Sequence, residues 1–169
     1  MIKIKDIKRA LILQDGIGYI RLTEFRENTL QEFNNALGNL SKQRMNALII
    51  DLRNNPGGLL DVAIKITGKF IEPNKMIAYT KGRGKNQDLK FYSDSKNTIL
   101  DLPLVVLINE GSASGSEIVA GALQDYKRAI IIGTKSFGKG SVQTVIPLGD
   151  GSGLRLTTSR YFTPSGKII

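Results

Sequence analysis

Apolar residues recur along this chain in two distinct periods. Leu30, Phe33, Leu37 and Leu40 fall on one face of a helix, and Thr29 and Glu32 stand at capping-box spacing at its start. Residues 59–71 (LLDVAIKITGKFI) predict a second helix despite Gly68, and residues 117–124 a third. Strands are predicted at 19–23 (YIRLT), 47–52 (ALIIDL), 75–81, 88–92, 104–109 (LVVLIN), 129–132, 141–147 (SVQTVIP) and 154–162. The continuous apolar runs at 47–52 and 104–109 have the pattern of strands buried on both faces. The last two strands flank 149–153 (GDGSG) and predict a hairpin. A basic, glycine-containing segment, 82–86, separates the strands at 75–81 and 88–92. No internal repeat or low-complexity linker interrupts the pattern.

Strands alternating with helices imply crossover connections and a largely parallel sheet. Binding and catalytic sites in such sheets form outside the carboxyl ends of strands. Two loops occupy that position and open a helix: 54–58 (NNPGG) and 111–116 (GSASGS). If their strands are neighbours, the loops face each other. A length of 169 residues suits a single domain with a real core.

Composition narrows the chemistry. The chain contains no His and no Cys. Those absences exclude a Ser-His-Asp triad, a cysteine nucleophile, a zinc finger and any disulfide. Any acid–base group must then be Asp, Glu, Lys, Tyr or a terminal amine. The 24 Lys+Arg against 15 Asp+Glu give a net charge of +9. The lysines are spread from Lys3 to Lys167 with no aromatic-basic motif among them. A solvated surface is therefore expected, with no nucleic-acid partner. Apolar runs such as 48–50 and 104–108 are far too short for a transmembrane segment. Residues 1–13 begin basic, but no cleavage site follows, so no signal peptide is expected in this chain.

Three segments are candidates for chemistry, and each has a plain structural reading beside it. The stretch from Gly111 to Glu117 places three serines at a helix start, where unpaired N–H groups and the positive dipole end suit an oxyanion. Serine is equally a preferred helix cap. The Pro56-Gly57-Gly58 turn lets backbone N–H groups approach a ligand, or simply turns a strand into a helix. Residues 133–140 (GTKSFGKG) nearly match a phosphate loop. Gly140 stands where the magnesium-binding hydroxyl belongs, and a strand pattern follows where a helix is required. Lys139 better fits the base that a serine nucleophile needs in the absence of histidine. It would have to be neutral, with Phe137 and nearby apolar strands excluding water. Asp125 is no direct partner for Ser114, because eleven helical positions separate them by ~16 Å. Closing the helix end or pairing with Lys127 or Arg128 is expected of it instead.

Taken together, residues 17–21 (IGYIR), 48–59 (LIIDLRNNPGGL), 104–125 (LVVLINEGSASGSEIVAGALQD), 133–143 (GTKSFGKGSVQ) and 161–166 (YFTPSG) resemble the carboxyl-terminal processing peptidases. The resemblance runs from about residue 16 onward, in family order. It implies an α/β fold of the Clp-protease/crotonase type, a ββα superhelix with a largely parallel sheet plus a C-terminal β-hairpin. It implies a serine endopeptidase acting near polypeptide C-termini, with Ser114 as nucleophile, Lys139 as general base and Gln143 orienting the lysine. The oxyanion donors it implies are backbone N–H groups of Gly57 or Gly58 and of Gly115. Gly115 departs from the alanine usual at that position. No cofactor and no metal is implied, and homo-oligomerisation is left open. An extracytoplasmic, periplasmic setting is expected by resemblance. Residues 1–15 are expected to lead from a PDZ domain, and 16–169 to form a protease core shortened at its C-terminus. An inactive peptide- or ligand-binding module and a crotonase-type acyl-thioester enzyme are the alternatives on the same fold.

Overall fold

The computed structural model describes residues 5–82, 84, 88–94 and 98–169. Most of the 82–86 segment and residues 1–4 lie outside the described residues. The first strand, β1 (Ile7–Ile12), was not anticipated from the pattern; it pairs antiparallel with β2 (Ile17–Leu22). Helix α1 (Thr29–Lys42) leads to β3 (Ala47–Asp51), and α2 (Leu60–Gly68) follows. Next come β4 (Met76–Gly82), β5 (Lys90–Tyr92) and β6 (Leu104–Ile108). Helix α3 (Gly115–Asp125), β7 (Ile130–Gly133), β8 (Ser141–Pro147) and β9 (Gly153–Phe162) complete the order.

The main sheet runs β1-β2-β3-β6-β7, with every pairing parallel except that of β1 with β2. The second sheet, β5-β4-β9-β8, is antiparallel throughout, so the expected C-terminal hairpin is the edge of a larger sheet. Register explains the core. Ile20, Ile50 and Val106 lie side by side across three strands, as do Leu48 and Leu104. These residues and the apolar stripes of all three helices form one buried cluster. The opposite face carries Leu11, Tyr19, Ile49, Val105 and Ile130 in one row. The crossover geometry is what makes β3 and β6 neighbours, and that adjacency positions the site.

Local details differ from the pattern for identifiable reasons. Helix α2 stops at Gly68 instead of running to residue 71, since glycine is a poor interior residue and Lys69 to Ile71 form a tighter turn. Thr29 and Glu32 do not cap α1 reciprocally. The Thr29 hydroxyl donates to the buried Asp6 carboxylate at 2.6 Å, and Glu32 accepts the N–H groups of Asp6 and Ile7 at 3.1 and 3.2 Å. Those bonds fasten the start of β1 to α1, which is why residues with no periodic signal join the sheet.

Phe33 and Phe70 are fully buried and meet edge to face, their centroids 6.3 Å apart. Phe33→Ala should lower stability by about 3–5 kcal/mol through lost burial and the cavity left behind. Urea denaturation checks this as a lower midpoint, and an unchanged midpoint would show that α1 does not pack on this core.

Candidate active site

The loops after β3 and β6 are bound to each other. Asn55 is 0% exposed, and its side-chain amide donates to the Leu22 carbonyl at 3.1 Å. Its own carbonyl accepts the Ala113 N–H at 3.0 Å and the Ser116 hydroxyl at 2.9 Å. The Ser112 hydroxyl donates to the Leu52 carbonyl at 2.8 Å. Nearer the surface, the Asn54 N–H donates to Asn109 Oδ1 at 2.8 Å, and Asn109 Nδ2 donates to Asn54 Oδ1 at 3.0 Å. The two loops therefore face each other, as their positions after adjacent strands predict.

This bonding sorts the three serines. Ser112 and Ser116 are buried and spend their hydroxyls on loop carbonyls, while Ser114 stands partly exposed between them. Ser114 has φ 53° and ψ −111°, a conformation that costs a non-glycine residue about 1–3 kcal/mol and clusters at functional sites. Its carbonyl accepts the N–H groups of Glu117 and Ile118 at 2.9 and 3.0 Å, so α3 starts directly behind it. Gly57, at φ 100°, packs against this turn. A Cβ there would stand 2.7 Å from the Ala113 carbonyl oxygen and 2.8 Å from Ser114 Cβ, so only glycine fits. The Gly57 N–H is taken by Asn55 Oδ1 at 2.9 Å. Among the described residues, the N–H groups of Gly58 and Gly115 have no hydrogen-bond partner.

A third segment, 134–140, lies across the serine turn. The Phe137 N–H donates to the Ser112 carbonyl at 3.0 Å. The Gly138 N–H donates to Glu117 Oε1 at 2.6 Å, and the Lys139 N–H to Glu117 Oε2 at 2.9 Å. The same Oε2 accepts the Ser114 N–H at 2.8 Å. The main chains of Ser114 and Lys139 are thus within two hydrogen-bond lengths of each other. Their side chains are not joined. Lys139 Nζ makes no hydrogen bond or ion pair among the described residues, and the exposed Gln143 amide on β8 does not reach it. Phe137 does not screen Lys139 as anticipated. It is 68% exposed and points away from packed surroundings.

Asp125 sits at the far end of α3. It binds neither Lys127 nor Arg128; Arg128 donates instead to the carbonyls of Ile99 and Leu102. Asp125 accepts the Ser165 N–H at 2.8 Å and stands 3.7 Å from Lys167 Nζ. Burial alone would raise its pKa, but donors on Thr163 and Ser165 and the Lys167 charge hold it below the ordinary carboxylate range. Asp51, buried at the end of β3, behaves likewise. Desolvation is outweighed by the Arg53 guanidinium, at 2.7 and 2.9 Å, and by the Tyr19 hydroxyl at 2.6 Å. Asp51 anchors the root of the Asn55 loop. The sequence pattern offered no sign of that, whereas Glu117 was detectable as the fourth residue of a capping-box spacing from Ser114. Among the described residues, no cluster of three or more His, Cys, Asp or Glu could hold a metal.

The family profile described as Peptidase family S41 matches residues 16–169. The chain belongs to peptidase family S41. This S41 chain is 47% identical over 173 residues to a carboxy-terminal-processing protease of Bartonella bacilliformis, with all of the chain and 39% of that protein covered. It is 45% identical over 149 residues to a carboxyl-terminal-processing protease of Synechocystis sp., covering 88% of the chain and 34% of that protein. A solved photosystem II D1 C-terminal processing protease superposes with a TM-score of 0.81 at 38% identity, covering 96% of the chain and 43% of that structure. The S41 chain therefore spans well under half the length of these relatives. Its α/β architecture is the one the resemblance implied, and no helix among the described residues is long and apolar enough to cross a membrane.

Asp51 and Asp125 both bind protons more weakly folded than unfolded. The stability they contribute is present above an unfolded carboxylate pKa of ~3.9 and is lost as pH falls through their folded values. Melting temperature should therefore fall on acidification below about pH 4, and Asp125→Asn should make that acid limb shallower. An acid limb identical in the variant would show that Asp125 does not contribute to it.

Proposed function

We propose that this chain is the core of a serine endopeptidase that cleaves polypeptides near their C-termini with a Ser-Lys pair. Ser114 is the nucleophile, Lys139 the general base, and Gln143 the residue that orients the lysine. Gly58 and Gly115 supply the oxyanion N–H groups. Gly57 supplies the close packing that sets them beside Ser114, its own N–H being already bonded within the loop. What supports this reading above all is the convergence of two separate segments, Pro56 to Gly58 and the turn carrying Lys139, on the strained, partly exposed turn of Ser114 and Gly115. The S41 membership and the names of the relatives point the same way.

The chemistry follows from the groups present. As a free base, Lys139 Nζ would take the proton of Ser114 Oγ, which attacks the peptide carbonyl. The carbonyl oxygen becomes an oxyanion facing two uncommitted N–H donors, whose dipoles need no reorganisation. The Lys139 ammonium then protonates the departing amine, leaving an acyl-enzyme. Lys139 next deprotonates a water, which attacks the ester, and the second tetrahedral intermediate collapses to release the acid as the Lys139 ammonium returns a proton to Ser114 Oγ. Lys139 Nζ has no hydrogen bond or ion pair among the described residues to break before it can act. The reading requires no cofactor. It places the chain outside the cytoplasm.

Ser114→Ala and Lys139→Ala should each lower cleavage of an unfolded protein by roughly three orders of magnitude or more. A fluorophosphonate should label the wild-type chain at Ser114. Substantial cleavage by either variant overturns the pair; binding of peptide with neither cleavage nor labelling would favour a non-catalytic module.

A further inference from the structure

We infer that Glu117 is a positioning residue that holds the base in register with the nucleophile; the inference rests on the Ser-Lys reading above. Glu117 is 6% exposed, and its carboxylate serves both sides of the site. Oε2 accepts the N–H of Ser114 and the N–H of Lys139, at 2.8 and 2.9 Å, and Oε1 accepts the N–H of Gly138 at 2.6 Å. One buried side chain thus bonds the main chain of the nucleophile and the main chain of the base.

The chemistry of these bonds makes the role specific to a carboxylate of this length. An ionised carboxylate is acceptor-only, with room for all three donors. Glutamine keeps the reach but has a single acceptor oxygen, so its NH2 must oppose at least one of the three N–H groups. Aspartate keeps both oxygens but is a methylene shorter. The other ties on this turn flank Lys139 without holding it: Phe137 N–H to the Ser112 carbonyl, and the Gly140 carbonyl to Tyr161 N–H at 2.7 Å. The Ser114 bond also helps stabilise the strained φ of that residue. An ordinary helix cap would satisfy α3 alone; Glu117 also accepts two N–H groups from a segment more than twenty residues downstream.

The test compares Glu117→Gln, Glu117→Asp and Glu117→Ala with wild type in kcat, KM, melting temperature and the rate of Ser114 labelling by a fluorophosphonate. Glu117→Gln should lower kcat and labelling together by about tenfold to a hundredfold, as expected of a small misplacement of reacting groups, with KM nearly unchanged. Glu117→Asp should fall short of wild type in the same two quantities. A Glu117→Gln variant that labels and turns over at wild-type rates, with only its melting temperature lowered, overturns the role and leaves a cap. If Glu117→Ala does not fold, amide hydrogen exchange in the unmodified chain decides: slow exchange at Gly138 and Lys139 supports the bonds, and exchange at the free-peptide rate overturns them. Failure of the wild-type chain to label at Ser114 would instead strike the Ser-Lys reading, and this inference with it.

Discussion

The buried carbonyl of Asn55 accepts the Ala113 N–H and the Ser116 hydroxyl, and the geometry of the site depends on that junction. It joins two loops that are far apart in the chain and adjacent only because β3 and β6 pair in parallel. A buried carbonyl left without donors would be costly, so each loop confines the other. The Asn55 side chain extends the constraint to β2 through the Leu22 carbonyl and inward to the Gly57 N–H. With that glycine fixed against the serine turn, Ser114 is held in a conformation it would not keep alone.

Constraint and freedom are divided sharply around the site. The main chains of Ser114, Gly115 and the 134–140 segment are bonded to their neighbours or packed against them, and Ser112 and Ser116 have spent their hydroxyls. What stays uncommitted is what the proposed reaction uses: two N–H groups and one lysine side chain. Holding the backbone rigid while leaving the reacting groups unpaired is what electrostatic preorganisation asks of a protein.

Much of the fold was legible because it rests on local patterns. Alternating burial in β2 follows its period-two sequence, and the continuous apolar runs became the central strands β3 and β6. Pattern failed where long-range bonds decide. Strand β1 has four exposed residues in six and no clear alternation; it joins the sheet because Asp6 and the residue after it are tied to α1. Phe137 reads as a core residue by type, yet its main chain is pinned to Ser112 in a way that leaves the ring outside. Type alone does not tell which side of a turn a residue faces.

By itself, the sequence determined the chemistry available. Lacking histidine and cysteine, it confined any base to a few residue types, and the ordered glycines, serine and lysine named the family. Those properties reside in composition and in spacing along one segment at a time. The tertiary structure decided which of three serines faces outward, and which glycine N–H groups are already bonded. It also decided that a single carboxylate bonds the main chains of Ser114 and Lys139. Each of these depends on a donor and an acceptor from segments distant in the chain, whose pairing exists only once the strands have set them side by side.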